Sequence, residues 1–403
     1  MSWLRLPCLR ALLACAVALS ACHAGRAGSV YSSKGIGLWR IYPGSQGAAM
    51  GGVGIALTDN LSINLRNPAA RFPAGFTRVF TDASFDFSTI STKYGNARLH
   101  FAQANSFSML VPLGSRISLS AILGPASEVR YAVSDTDTLP GYLYWREVTG
   151  RGGLSRGELA VFVKPSNYLY LGVSAQLYFG RIQETWKTTF SSTDFTSAHD
   201  RFSTHLQGFG GTVGVLARPT SRLALGAVLT PGTDLDAATD IRHAFVGADT
   251  SLTRVLHLPV MWGVGASYQW PFGLTLAVDY YRQEWGAVER SPDQRYSCAD
   301  AAFLMVGVEY VPSRKLSDPY LRKVAYRAGF RYGHVPVLTS GDRRPTEYVF
   351  TTGLGFPFFS FLGRVDLTYE LILRGSESVD PARERVHRVL IGLGGAERWF
   401  QRQ

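Results

Sequence analysis

The sequence has little of what a disulfide-stapled or reactive protein needs. Of 403 residues four are cysteine, and three of these, Cys8, Cys15 and Cys22, fall in or at the edge of an export signal, leaving Cys298 alone. That excludes a disulfide framework and a Cys-based metal site. Charge is also sparse: 18% of residues, with a formal balance of +11 dispersed along the chain and no basic tract. Dispersed Arg and Lys without a recognition motif give no reason to expect nucleic acid as a partner. There is no Gly-x-Ser-x-Gly elbow, no His-Glu-x-x-His and no phosphate loop, and Gly52-Val53-Gly54 lacks the third glycine of a dinucleotide site. Most of the eight histidines, among them His100, His199, His205, His257 and His387, stand on separate elements. No catalytic residue, metal or cofactor is expected from such a pattern.

Long apolar runs are missing too. The N-terminus has Arg5 and Arg10 around an apolar run from Ala11 to Ala21, too short to span a bilayer, so residues 1–27 read as a signal peptide for Sec-type export. Small residues at Cys22 and Ala24, or Gly25 and Ala27, suit ordinary cleavage. Leu19-Ser20-Ala21-Cys22 matches a bacterial lipobox that would leave Cys22 lipidated. Beyond the signal, no stretch reaches the roughly 18 uninterrupted apolar residues of a membrane helix.

What is present is two-residue alternation. Phe361, Gly363, Val365, Leu367, Tyr369, Leu371 and Leu373 share one face of a strand, and Arg364, Asp366, Thr368 and Glu370 share the other. The first face suits lipid or core and the second water. Similar runs occur at 169–179 and 260–269, and further ones near 80–88, 97–111, 116–131, 156–164, 206–218, 222–230, 273–285, 301–311, 323–334, 347–357 and 386–396. The total is about fourteen, an even number of the kind single-chain bacterial barrels use. Short Pro/Gly/Ser links alternate with long polar ones at 132–155, 181–205, 231–257, 286–300, 335–346 and 374–385, as periplasmic turns alternate with outer loops. Trp145, Trp262, Trp270, Trp285 and Trp399-Phe400 sit near strand ends, where interfacial girdles place aromatic rings. The expected fold is all-β: a membrane-spanning antiparallel barrel in the outer membrane of a Gram-negative-type bacterium.

Between signal and first strand lie Gly47-Ala48-Ala49-Met50-Gly51-Gly52-Val53-Gly54 and then Asn64-Leu65-Arg66-Asn67-Pro68-Ala69-Ala70. Here the chain resembles the FadL-type outer-membrane transporters of long-chain fatty acids and hydrocarbons. Weaker matches at Pro219 to Gly226, and from Leu258-Pro259 to Asp279-Tyr280-Tyr281 and Trp285, extend the resemblance over most of the mature chain. It implies an N-terminal hatch inside the lumen over residues 28–78, built on Met50, Gly51, Gly52, Asn67, Pro68 and Ala69, and a barrel over 79–403. It also implies a monomer in outer-membrane lipid that passively carries a hydrophobic small molecule, with lateral exit through a kink in the third strand. Some FadL-like barrels instead handle proteins, as the shuttle barrels of type IX secretion do, and a protein partner at the outer loops is the alternative.

Gly124-Pro125 interrupts the third alternating run, where proline cannot donate to the ladder, so either the wall kinks there or the strand ends. On the lumen face of the later strands lie Asp279, Glu309, Arg327, Arg331, Arg364, Asp366, Glu370 and Arg388. They are expected to pair across strands or to anchor the hatch; Arg327 or Arg331 could alternatively hold a ligand carboxylate in two parallel hydrogen bonds.

Overall fold

A computed structural model describes residues 28–59, 61–72, 75–139, 142–192, 195–243, 250–288, 298–339, 343–376 and 380–397. The signal segment, with Cys22, and Trp399-Phe400 lie outside the described residues.

A two-residue strand, β1 (Leu38–Trp39), precedes the wall. The wall then runs in chain order through β2 (Thr77–Thr92), β3 (Gly95–Pro112), β4 (Ile117–Pro125) continued by β5 (Ser127–Leu139), β6 (Tyr142–Val163), β7 (Leu169–Phe190) and β8 (Ala198–Ala217). Next come β9 (Leu223–Thr230) continued by β10 (Thr233–Arg242), β11 (Thr250–Leu258) continued by β12 (Met261–Gln269), and β13 (Leu274–Gln283). The circuit finishes with β14 (Ala301–Tyr310), β15 (Ala325–His334), β16 (Thr346–Phe358), β17 (Gly363–Arg374) and β18 (Arg383–Glu397). β18 pairs with β2, Arg388 opposite Asp86, and closes the barrel. With each interrupted strand counted once, the closed antiparallel wall has fourteen strands, as the alternation predicts. Two of the interruptions fall at Pro231 and Pro259, which have no N–H for the ladder.

The apolar face points to lipid. On β7 Leu169, Leu171, Val173, Leu177 and Phe179 are exposed, while Ser174, Gln176 and Tyr178 are buried. At about 3.3 Å per residue and a tilt near 45°, residues 169–179 rise about 25 Å, the height of a lipid-facing band. β7 nevertheless continues to Phe190, with Arg181 and Lys187 exposed. The stretches 132–155, 181–205 and 231–257, which sequence composition marks as loops, are largely strand in β5 to β8, β10 and β11. The discrepancy has a physical cause. Above the bilayer the outer face meets water, so apolar alternation stops while the backbone ladder goes on.

A second correction concerns the inner face. The polar side chains of β17 that alternation would give to water are dry: Asp366 is 0% and Thr368 1% exposed, whereas Leu367 on the lipid face is 42% exposed. The lumen is filled by the chain segment that precedes β2, whose Ala49, Met50, Val53, Ile55 and Ala69 are completely buried. Trp285 also belongs inside, edge-on to Trp39 with ring centroids 6.3 Å apart, and not in a membrane girdle.

Candidate functional site

The N-terminal segment is held by polar hooks from many strands. The backbone N–H groups of Gly54 and Ile55 donate to Asp279 Oδ2 at 2.6 and 2.8 Å. Ser45 Oγ donates to Asp366 at 2.8 Å, and Gln46 Nε2 to Glu309 at 3.0 Å. Gly51 N donates to Thr351 Oγ1 at 2.8 Å, and that hydroxyl donates to Ala49 O at 3.0 Å. Gly51 has φ +75°, a region L side chains avoid, and the wall opposite must be glycine as well: a Cβ on Gly329 would lie 2.2 Å from Gly51 N. At the other end Asn67 caps the 3₁₀ turn Pro68–Ala70, its Oδ1 accepting from Ala69 N at 2.9 Å. Its Nδ2 donates to Ile55 O at 2.7 Å and to Val215 O of β8 at 3.3 Å. Met50, Gly51, Gly52, Asn67, Pro68 and Ala69 are thus all packed inside the wall.

Two ion pairs clamp the segment to different strands of the wall: Asp59 with Arg364 of β17 at 2.5 Å and Arg71 with Glu158 of β6 at 2.5 Å. Burial alone would raise the Asp59 carboxyl, but the Arg364 guanidinium and the Ser62 hydroxyl outweigh it and hold the group far below the usual carboxylate range. Asp59, Arg71 and Glu158 were not among the sequence candidates. Glu158 was legible as the one carboxylate on the inner parity of its run, between Arg156 and Ala160.

Apart from Asp279, the lumen-face candidates form ion pairs. Arg327 contacts Glu309 at 2.7 Å and Asp366 at 2.6 Å; Arg364 also reaches Asp366 at 2.8 Å. Arg331 meets Glu347 at 3.3 Å, and Arg374 joins Glu347 and Glu384 at 2.6 and 2.8 Å. Arg388 grips Asp86 in two bonds of 2.8 and 2.6 Å and approaches Glu370 at 3.5 Å. Arg327 and Arg331, candidates for a ligand carboxylate, therefore already hold carboxylates of the protein.

Gly124 and Pro125 still pair with Arg156 and Ser155 of β6; the chain bends at Ala126, and β5 resumes along the same neighbour. On the other side pairing with β3 stops at Phe107–Leu123. Just above, Asn105 is the extra residue of a bulge, since Asp82 faces Ser106 while Ala83 faces Ala104. The bulge and the bend face each other so closely that a Cβ on Gly124 would lie 2.5 Å from Asn105 O. Beyond them no described strand joins residues 95–104 of β3 to β5. Across this seam Arg40 donates to Asn105 Oδ1 at 2.8 Å, and the Arg130 guanidinium lies 4.1 Å over the Phe101 ring. A loop-side cavity of about 100 Å³, lined by Arg40, Phe101 and Arg388 among others, and an outer groove of about 750 Å³, lined by Gln103, Pro125 and Phe179 among others, share Glu128 and Arg130. A third cavity, about 630 Å³, opens beside Asp59, Glu309 and Arg364. Among the described residues no group of His, Cys, Asp and Glu is arranged to hold a metal.

The model of one protein family, described as BamG, matches residues 8–403. The chain belongs to the BamG family. No curated protein matches it in sequence. This BamG-family chain shares its fold with solved outer-membrane barrels at low identity. The toluene transporter TbuX of Ralstonia pickettii is 14% identical over 87% of this chain and 97% of its own, with a TM-score of 0.59. A FadL homologue of Pseudomonas aeruginosa is 15% identical over 90% and 100%, TM-score 0.60. The toluene transporter TodX of Pseudomonas putida is 16% identical over 89% and 98%, TM-score 0.59. By family it is a BamG protein, and by fold a barrel of the kind these outer-membrane proteins have.

Proposed function

We propose that this barrel passively conducts small hydrophobic compounds from the loop side to the outer membrane, leaving laterally through the seam between β3 and β5, with the N-terminal segment as a fixed hatch. The observation that carries the reading is the seam itself: β3 and β5 do not pair with each other where Glu128 and Arg130 line both the inner cavity and the outer groove, and the β5 edge there is held from inside by β1 and Gly28-Ser29. A compound that displaces Arg130 from Phe101 and Arg40 from Asn105 passes from one to the other along residues 28–42, without moving the part of the hatch clamped at Asp59 and Arg71. The three barrels cited above, two of them named as toluene transporters, support the class of cargo.

The test restores pairing at the seam. Replacing Gly124 by a larger residue is unsuitable, because its Cβ would strike Asn105 O. Pro125→Thr combined with deletion of Asn105 returns an N–H and removes the bulge, letting β3 and β5 pair. Uptake of radiolabelled toluene or oleate into vesicles carrying this variant should fall to the level of protein-free vesicles; unchanged uptake would refute lateral exit.

A second reading is favoured by the charged linings of these two lumen cavities, which carry Arg40, Glu128, Glu309 and Arg364 among the described residues. In it the barrel is a partner-bearing component of protein secretion or assembly. Wild-type vesicles would then show no uptake above protein-free ones, and the protein would leave the membrane in a stoichiometric complex.

A further inference from the structure

A closed barrel removes free strand edges, so one that remains is informative. β5 pairs with β6 from Val129–Gly152 to Leu139–Tyr142. Among the described residues its other edge is covered only at the base, and by the chain's own N-terminal segment. β1 pairs there antiparallel, Leu38 with Glu128 and Trp39 with Ser127. Gly28 and Ser29 donate their N–H groups to Arg130 O at 2.9 Å each, and Arg40 N donates to Ala126 O at 2.9 Å. Above Arg130 no described residue continues this coverage. Residues 132–138 are all exposed, whichever face they point to, whereas wall strands such as β7 alternate exposed with buried. This edge has no Pro, Gly or Lys to blunt it. Its two acidic residues lean towards β6, Asp135 on Arg146 at 3.3 Å and Asp137 accepting from Tyr144 Oη at 3.1 Å.

We propose that residues 132–138 of β5 receive an extended strand of a partner protein at the outer surface, added antiparallel in continuation of the pairing that β1 begins. Backbone groups spaced for a ladder are matched along their length by another extended backbone, and β1 shows this edge accepting one. The side chains specify the partner further. One face presents the small Ala132, Ser134, Thr136 and Thr138, and the other presents Val133, Asp135 and Asp137. A strand with an apolar residue opposite Val133 and Lys or Arg opposite Asp135 and Asp137 complements it. The proposal does not rest on the transport reading, since the edge lies above the cavities that the cargo would use.

The test is amide hydrogen exchange of residues 132–138, read by mass spectrometry, for the full chain in detergent, in protein-free lipid vesicles and in native outer membranes. Exchange should be fast in the first two states and at least tenfold slower in native membranes, while residues 145–150 of β6, paired in every state, do not change. A photo-crosslinker at Thr136 should then join one protein through an extended basic segment, and one at Thr185, inside the sheet on β7, should not. Asp135→Lys with Asp137→Lys should abolish the protection and leave vesicle uptake unaltered. Equally fast exchange in native membranes would overturn the proposal. Slow exchange in lipid vesicles would also overturn it, because lipid would then be the cover, as would slow exchange in detergent, because the chain would then close its own edge.

Discussion

Replacing Arg364 by Met should loosen one end of the N-terminal segment and leave the barrel standing. The Arg364 side chain is 8% and the Asp59 side chain 13% exposed, and among the described residues no other ion pair holds the Asp59 carboxylate. Asp366 keeps Arg327 at 2.6 Å, so the loss falls on Asp59. Removing one member of a buried pair costs about 3–5 kcal/mol, because the remaining charge stays desolvated. At tenfold per 1.4 kcal/mol, local opening becomes about a hundred to a few thousand times more frequent. Amide exchange of residues 54–64 reads this directly, while the fourteen-strand ladder should keep its thermal transition. The double variant Arg364→Met, Asp59→Asn removes both charges and should recover most of the loss, to within about 1 kcal/mol. Exchange accelerated less than threefold in the single variant, or a double variant as loose as the single, would refute the clamp.

Other outcomes follow from the same contacts. Gly329→Leu forces a side chain into the backbone of Met50-Gly51 and should cost about 1–3 kcal/mol of docking, seen as faster proteolysis within residues 47–54 of an intact barrel. Asp59 has a folded carboxyl below its unfolded value, so its contribution is complete above the ordinary value of about 4 and declines only as pH falls below it; exchange of residues 54–64 should not respond to Asp59 between pH 8 and 5. Tyr31 has the opposite sign: burial, then Asp380 and Glu384, push its phenol above the ordinary value of about 10, so the contact with Ala382 O is complete below that pH and weakens above it, and Tyr31→Phe should remove the alkaline response. Burial pushes the Cys298 thiol up to about 11, so alkylation by iodoacetamide at neutral pH should be on the order of a hundredfold slower in the folded chain than after unfolding.

The membrane wall was legible because lipid imposes a strict period of two on the outer face, as Leu169 to Phe179 show. The strands above the bilayer were not, since water on the outer face demands no such period: Asp234, Asp236, Ala238 and Asp240 read as a loop, yet they form one face of β10. The charge candidates were found by parity, but their partners were not. Nothing in the spacing shows that Arg364 meets Asp59 or that Asp279 accepts from Gly54 and Ile55, because those contacts depend on how a segment without periodicity coils inside the barrel. The inward glycines carry a further signal. Gly329 alternates with polar neighbours Arg327 and Arg331 on the inner face of β15, a place where a polar lumen would otherwise favour side chains.

The energetics of the lumen decide which part of the molecule can move for a cargo to pass. Withdrawing the N-terminal segment breaks the Asp59–Arg364 and Arg71–Glu158 pairs and also the buried bonds to Asp279, Asp366 and Glu309. At about 3–5 kcal/mol for each broken buried pair, and about 1.5–3 kcal/mol for each hydrogen bond to a charged group, the sum exceeds 10 kcal/mol, comparable to the stability of a whole domain. Opening the seam asks far less. Lifting Arg130 from the Phe101 ring costs about 0.5–2 kcal/mol and breaking the Arg40–Asn105 bond about 1.5–3 kcal/mol more, and the Arg130 side chain is already 30% exposed, so water replaces part of what is lost. A compound binding in micromolar concentrations has about 8 kcal/mol of affinity available. That is ample for the seam and too little for the clamped part of the hatch, so the contacts resist the route proposed above, between β3 and β5 with residues 44–71 in place, less than they resist withdrawal of the segment.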